Sequence, residues 1–220
     1  MSISEATTDA ILQRLRTVGQ HHRVIQLKVG IKSLKEDLEA ITAVIAELGS
    51  EQVLLADANG AWDLETATQA VAGISDLRVL IEEPCRSYED NLRVSQQAPV
   101  LFDQCIADRD AALQAMADGV SRLCIKPAFL GGLSVAADIA RRASSAGVTV
   151  RVDGPWCGDI ATAAIAHLAT TIPASSLLCG CDLREPLTLP IDLGVVQTPR
   201  AGSTAVPARA GLGVVWDERY

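Results

Sequence analysis

Acidic side chains end three consecutive apolar segments of the chain. "VLLAD" ends at Asp57, "VLIE" at Glu82 and "PVLFD" at Asp103, while the segments on either side end at Lys28 and Lys126. Three carboxylates without a histidine or cysteine beside them form an all-oxygen ligand set, which suits a hard cation such as Mg²⁺. The pattern therefore predicts a magnesium site with two lysines next to it.

A magnesium ion on a substrate carboxylate would stabilise the enediolate that forms when the α-proton leaves. Lys28 and Lys126 are candidate bases, because a nearby divalent cation disfavours the charged form of a lysine and lowers its pKa toward working pH. Taken singly, each acidic residue is as well explained by helix capping, and each lysine by a salt bridge. Their recurrence at consecutive segment ends favours a shared site.

Apolar, β-branched runs alternate along the chain with longer stretches of helical periodicity, which is the pattern of βα units. We expect strands at 24–28, 53–57, 79–82, 99–103, 122–126, 148–153 and 176–182, and helices at 33–48, 64–73, 108–118, 134–146 and 159–169. The spacing of 20 to 30 residues between strands favours a (β/α)8 TIM-type barrel over a doubly wound sheet, since no glycine-rich phosphate loop follows the first strand. In a barrel the strand ends share one rim, where Asp153 would join the acidic and basic residues.

Composition indicates one globular domain over 1–220 with a C-terminal tail at 200–220. The 220 residues are 49% hydrophobic, carry a net charge of −8 and include no cluster of basic and aromatic residues, which argues against nucleic acid. No apolar run reaches the ~20 residues of a membrane span, and the first ten residues do not resemble a signal peptide. The six cysteines include no CxxC pair, so we expect reduced thiols and a cytoplasmic protein.

Seven stretches of the chain resemble the barrel domain of the enolase superfamily, mandelate racemase and muconate lactonizing enzyme subgroup. They are "QLKVG", "LLADANGAW", "LIEEP", "VLFDQ", "CIKPAFLGGLS", "DGPWCGDIATAAIAHLA" and, near the end of the chain, "AGLGV". The segments "RVIQLKVG" and "GDIATAAIAHLATTIP" resemble those of one branch of the superfamily, which comprises proline betaine and hydroxyproline betaine 2-epimerases and cis-3-hydroxy-L-proline dehydratases.

The resemblance implies that Asp57, Glu82 and Asp103 bind Mg²⁺ and that Lys28 and Lys126 form an acid/base pair. It implies supporting or substrate-contacting roles for a further set: Gln26, Asn59, Glu83, Gln104, Asp153 and Trp156. The expected activity is α-proton abstraction from a small carboxylate such as a proline derivative. Dehydratase (lyase) and epimerase or racemase (isomerase) activities both fit, because two lysines could serve two faces of the α-carbon.

The chain departs from the superfamily pattern near the expected site. Gln26 stands where the superfamily has the first lysine of a Lys-x-Lys motif. Because Gln26 and Lys28 are two residues apart on the predicted strand, Gln26 still faces inward with Lys28. Gly154 stands where an acid is expected. Only 3% of the residues are aromatic, which leaves Trp62 and Trp156 as candidates to face a quaternary ammonium and favours a plain cyclic amino acid over a betaine.

The N-terminal segment "MSISEATTDAILQRL" holds at most a stub of the first barrel strand before a helix begins. We therefore expect strands 2 to 8 of a barrel that lacks its first strand and the capping domain of the family. A truncated or split member would need a homo-oligomer or a partner to supply the cap, and an inactive chain that only associates is the non-enzymatic alternative. A Schiff-base aldolase that uses Lys126 is a further alternative, but it leaves the acidic triplet without a role.

Overall fold

The computed structural model of the chain describes residues 1–74, 76, 78–154, 159–180, 202–203, 205–206, 208 and 210–213. Parallel strands alternate with helices throughout, and the chain divides into two compact units. The first unit comprises residues Met1–Cys105 and Val120–Arg122, and the second comprises residues Ile106–Gly119 and Leu123–Tyr220.

The first unit is a five-stranded parallel sheet with one helix after each of the first four strands. Its elements are β1 (Ser2–Ile3), α1 (Thr8–Val18), β2 (Val24–Lys28), α2 (Leu34–Glu47), β3 (Val53–Asp57), α3 (Leu64–Gly73), β4 (Val79–Glu82), α4 (Tyr88–Ser95) and β5 (Val100–Leu101). The strand order equals the chain order. Each strand is therefore connected to its neighbour by a helical crossover, as parallel pairing requires.

The second unit contains a three-stranded sheet in the order β6, β7, β8. Its elements are α5 (Arg109–Ala117), β6 (Arg122–Ile125, of which Arg122 groups with the first unit), α6 (Leu133–Ser145), β7 (Thr149–Val152), α7 (Asp159–Thr170) and β8 (Leu177–Gly180). β7 and β8 are parallel, and the N–H of Asp153 donates to the carbonyl of Ile125 at 3.0 Å.

The central strands are buried on both faces. Leu54, Leu55 and Ala56 of β3 are fully buried, and β2 buries Ile25 and Leu27 on one face and Val24 and Gln26 on the other. Strands covered on both sides have continuous apolar runs rather than alternating ones, which explains why these segments stand out in the sequence. The polar residue that ends each run marks the point where the strand leaves this core.

Helix caps account for several acidic and hydroxyl side chains away from the candidate site. Ser33, Asp63 and Asp108 accept hydrogen bonds from the backbone at the starts of α2, α3 and α5, and Ser33 forms a capping box with Glu36. Each cap satisfies an N–H that has no partner within its helix and fixes where the helix begins.

Most predicted elements agree with the structure within two residues. The prediction that the first strand is missing is corrected: Ser2 and Ile3 pair in parallel with Gln26 and Leu27, so a two-residue first strand is present. Helix α4 was not predicted, because Asn91 and Val94 are its buried residues and its apolar periodicity is weak. The single-domain boundaries and the tail at 200–220 stay predictions.

Two further expectations concern cysteines and membrane spans. Cys85, Cys105, Cys124 and Cys179 are not in disulfide bonds, whereas Cys157 and Cys181 lie outside the described residues. Across the described part of the chain, no helix has the length and apolar character that crossing a membrane would need.

Candidate metal and proton-transfer site

Three carboxylates are buried where adjacent strands of the first unit end. Asp57 and Glu82 are the last residues of β3 and β4 and are in-register partners, each 1% exposed. Asp103 follows β5 by two residues and is 6% exposed, and carboxylate oxygens of Glu82 and Asp103 lie within 4.8 Å of each other. Parallel strands in register thus bring three acidic groups from separate segments to one end of the sheet.

This donor set fits a hard divalent cation. The carboxylates of Glu82 and Asp103, whose oxygens lie within 4.8 Å of each other, repel one another unless a positive charge lies between them, because burial removes the solvent that would screen them. All of the donor atoms on Asp57, Glu82 and Asp103 are carboxylate oxygens, which Mg²⁺ prefers over nitrogen or sulfur.

Lys28 lies beside this group at the end of β2. Its Nζ donates to Oδ2 of Asp57 in a salt bridge, and Lys28 and Asp57 are in-register partners on neighbouring strands. The lysine side chain keeps 29% of its surface exposed, whereas that of Asp57 keeps 2%. The amine is therefore anchored to a buried carboxylate while its other side remains accessible.

Gln26 contacts two of the three carboxylates. Its Nε2 donates to Oδ2 of Asp57 at 2.7 Å and to Oε2 of Glu82 at 2.8 Å. Gln26 is two residues before Lys28 on the same strand, so both side chains leave the same face of the sheet.

The loop after β3 holds the other oxygen of Asp57. Asn59 has a positive φ of 49°, and its N–H donates to Oδ1 of Asp57 at 3.0 Å. The exposed Asn59 side chain accepts a hydrogen bond of 2.9 Å from Nε2 of Gln104, which follows Asp103. The loops after β3 and β5 are thereby joined at the surface next to the carboxylates.

Glu83 holds the loop that carries Asp103. Its Oε2 accepts the N–H of Asp103 at 2.7 Å and the thiol of Cys105 at 3.4 Å, and its Oε1 accepts the N–H of Cys105 at 3.0 Å. Burial raises the pKa of Glu83 above its usual value, and these hydrogen bonds lower it in part. Burial, together with the charge of Glu83, also raises the pKa of Cys105, so the thiol stays protonated and donates.

Two predicted site residues belong to the second unit. Lys126 is half-buried directly after β6, and its carbonyl accepts the N–H groups of Phe129 and Leu130 in a tight turn. Asp153 directly follows β7 and forms a buried ion pair of 2.7 Å with Arg151. Trp156 lies outside the described residues.

Two observations change the interpretation of individual residues. Trp62 is 6% exposed and hydrogen-bonds to Asp37, so it packs within the first unit rather than presenting an open aromatic face to a ligand.

The buried Arg151 was not predicted. The spacing of Arg151 and Asp153, two residues apart in the strand predicted at 148–153 and so on one face of it, is the signal that could have identified the pair.

The structure thus groups most of the predicted residues in the first unit. These are Gln26, Lys28, Asp57, Asn59, Glu82, Glu83, Asp103 and Gln104.

Comparison with known sequences identifies relatives over nearly the whole chain. The chain is 30% identical over 217 residues to a cis-3-hydroxy-L-proline dehydratase of Roseibium aggregatum, which covers 97% of the chain and 59% of the relative. It is 31% identical over 208 residues to muconate cycloisomerase 1 of Pseudomonas putida, covering 91% of the chain and 55% of the relative. The chain therefore spans less than two thirds of the length of these enzymes.

Solved structures give the same result for the fold. The chain is similar to a member of the enolase superfamily from Roseovarius nubinhibens, with a TM-score of 0.92 and 26% sequence identity. The match covers 100% of this chain and 60% of the length of that protein. A structure of such a member complexed with magnesium matches 99% of the chain with a TM-score of 0.91 and 26% identity, over 60% of its own length. These matches confirm the predicted fold class, an α/β fold with parallel strands that corresponds to the C-terminal barrel domain of the superfamily.

The family model described as enolase C-terminal domain-like matches residues 9–220, which include every strand from β2 onward and all of the carboxylates and lysines considered above. Together with the relatives, this match confirms the resemblance in the sequence, and the chain belongs to the enolase C-terminal domain-like family.

Proposed function

We propose that Asp57, Glu82 and Asp103 bind Mg²⁺ and that the chain supports abstraction of an α-proton from a small carboxylate substrate through an enediolate. The observation that carries this proposal is the buried carboxylate group at three adjacent strand ends, with Lys28 anchored to one member. When bound there, Mg²⁺ would supply the positive charge that stabilises the enediolate.

Lys28 is the proposed acid/base group of the first unit. Its contact with Asp57 fixes the amine at the end of β2, and its exposed side can meet a substrate α-carbon. Lys126 is the proposed second acid/base group, supported by the similarity of "CIKPAFLGGLS" to the family. Proton transfer by positioned side chains of this kind contributes about 10²- to 10⁴-fold to rate.

A proline-type carboxylate is the proposed substrate. The relative from Roseibium aggregatum is a cis-3-hydroxy-L-proline dehydratase, and the low aromatic content of this chain favours a cyclic amino acid without a quaternary nitrogen. A dehydratase would remove the α-proton and the β-hydroxyl of the substrate as water, and the product would be a cyclic imine. A 2-epimerase would return the proton to the opposite face.

Exchange of the α-proton in D₂O tests this proposal directly. The purified chain is mixed with Mg²⁺ and a panel of proline derivatives, and loss of the α-proton signal is followed by NMR. We expect exchange that EDTA abolishes and that Lys28→Met or Lys126→Ala slows at least about 100-fold. Lys35→Met removes an exposed lysine of α2 and should leave the rate unchanged.

The exchange experiment also distinguishes the alternatives. The chain spans about 60% of its relatives, so a partner chain or a capping domain is the second candidate requirement for turnover. Exchange that begins only when the capping domain of a relative is added would support that requirement. No exchange under either condition would contradict the enzymatic proposal, and trapping of substrate by borohydride would favour a Schiff-base aldolase instead.

A further inference from the structure

The amide group of Gln26 bridges two of the proposed metal ligands. Its Nε2 lies 2.7 Å from Oδ2 of Asp57 and 2.8 Å from Oε2 of Glu82, and Gln26 itself is 8% exposed. A primary amide has two N–H donors in one plane. Both donors are used here, one on each carboxylate.

The orientation of this amide follows from its surroundings. With the nitrogen facing the two carboxylates, both contacts are charge-assisted hydrogen bonds; with the oxygen facing them, both would be repulsive contacts between acceptors. The register of the sheet also fixes the position of the Gln26 Cα atom, because Gln26 pairs with Leu55 on β3, two residues before Asp57. The bridge is therefore determined by the backbone and by the charges on either side.

The bridge sets how far apart the carboxylates of Asp57 and Glu82 can lie, without adding charge. A lysine at position 26 could also donate to both carboxylates, but its positive charge would add to that of Lys28, which is already on Asp57. The neutral amide of Gln26 leaves the negative charge of the two carboxylates available to a divalent cation.

We propose that Gln26 is a positioning residue that sets the affinity of this chain for Mg²⁺ by holding Asp57 and Glu82 at a fixed separation through its two neutral N–H donors. The inference rests on the metal site of the proposed function and deepens it. Hydrogen bonds that orient metal-binding carboxylates typically contribute about 10- to 100-fold to metal affinity.

Titration calorimetry of the full chain with Mg²⁺ tests this inference. Gln26→Met keeps the side-chain length and neutrality but removes both donors, and Gln26→Asn keeps one amide that is too short to reach both carboxylates. We expect both variants to raise the Kd for Mg²⁺ about 10- to 100-fold.

Gln69→Met is the matched control, because Gln69 is exposed on α3 and donates to a single carboxylate, that of Glu65. Its Kd should stay within about twofold of the parent. Thermal unfolding followed by circular dichroism, without Mg²⁺, establishes that each variant is folded. An unchanged or lower Kd in a folded Gln26→Met or Gln26→Asn variant would overturn the inference, as would a parent chain that does not bind Mg²⁺.

The exchange assay separates this inference from the proposed function. If the parent binds Mg²⁺ and the Gln26 variants bind it more weakly, but no substrate exchanges its α-proton, Gln26 retains its positioning role and the proposed reaction is wrong. If exchange occurs with the same dependence on Mg²⁺ concentration in the parent and in Gln26→Met, the reaction stands and the role of Gln26 is wrong.

Discussion

Glu83 fixes the backbone at Asp103, because Oε2 of the buried Glu83 carboxylate accepts the Asp103 N–H at 2.7 Å. The other oxygen accepts the N–H of Cys105, so the carboxylate spans the turn that follows β5. Glu83 has a positive φ of 40°, a conformation that costs a non-glycine residue on the order of 1 kcal/mol. Hydrogen bonds to the turn offset this strain and place Asp103 near Glu82.

Replacement of Glu83 by glutamine should loosen the turn that carries Asp103. The amide nitrogen of glutamine cannot accept an N–H, so at least one buried donor loses its partner at a cost of about 1–3 kcal/mol. We expect Glu83→Gln to lower the free energy of unfolding in urea and to weaken Mg²⁺ binding about tenfold or more in calorimetry. Glu89→Gln, at an exposed position on α4, should change neither quantity, and equal values for the two variants would contradict the role of Glu83.

Gly30 lies where the loop after β2 approaches the loop after β3. An added Cβ would lie 2.7 Å from Cβ of Ala61 and 3.2 Å from the carbonyl oxygen of Ala58, at a φ of +83°. Gly119 has nearly the same φ, +84°, but an added Cβ there would meet nothing within 4 Å.

This pair of glycines separates backbone strain from close packing. We expect Gly119→Ala to lower the free energy of unfolding by about 1–2 kcal/mol from the left-handed conformation alone. Gly30→Ala should lower it by a further ~1–3 kcal/mol, because the neighbouring loop must move. Urea unfolding of both variants measures the difference, and equal losses would show that the approach of the two loops is not tight.

The grouping of the acidic residues Asp57, Glu82 and Asp103 could be predicted from the sequence, because it follows from the regular spacing of the strands that they end. Asp57 and Glu82 end apolar runs of parallel strands, and parallel pairing in register brings such ends together. The helix cores were predictable for a similar reason, since α2 and α3 have caps and buried positions at helical spacing.

Other features depend on contacts that have no local pattern. β1 has only two residues, so its pairing with β2 leaves no periodicity to detect. Gln26 could be assigned to the inner face, but the donation of both amide hydrogens to Asp57 and Glu82 depends on distances between three strands. Arg151 interrupts the apolar run of β7, and although its spacing to Asp153 could indicate the pair, the burial of both side chains depends on the packing around them.

The stability of the first unit should depend on pH through Asp37. This buried carboxylate of α2 accepts the N–H of Gly30 at 2.8 Å, and burial raises its pKa above the ordinary 3.8. A raised pKa means that the folded state binds the proton more tightly than the unfolded state. The contribution of Asp37 to stability is therefore fully present below about pH 3.8 and is lost as pH rises through the folded pKa.

Comparison with Asp37→Asn isolates this effect. We expect the free energy of unfolding of the parent minus that of Asp37→Asn to fall as pH rises from about 3.5 to 6.5, because asparagine does not titrate. Urea unfolding at several pH values gives this difference. Glu39→Gln, which removes an exposed carboxylate of the same helix, is the control, and a difference that rises with pH for Asp37→Asn would contradict the assigned direction.

Arg151 and Asp153 provide a test of how a buried ion pair contributes to the second unit. Nη2 of Arg151 lies 2.7 Å from Oδ2 of Asp153, and the two side chains are 4% and 10% exposed. Oδ1 of Asp153 accepts the N–H of Gly154 at 2.7 Å, so both carboxylate oxygens are bonded. Removal of Arg151 would leave a buried charge without its ion-pair partner, which typically costs about 3–5 kcal/mol.

We expect Arg151→Met to lower the free energy of unfolding by about 3–5 kcal/mol, and the double variant Arg151→Met/Asp153→Leu to recover a large part of that loss. Recovery is expected because the apolar replacement removes the isolated charge, which dominates the cost of breaking the pair. Arg93→Met breaks an exposed pair with Asp90 on α4 and should lower stability by less than about 1 kcal/mol. Urea unfolding of the four chains measures these differences. A double variant as unstable as Arg151→Met would show instead that the loss comes from the packing of the arginine side chain and not from the charge left on Asp153.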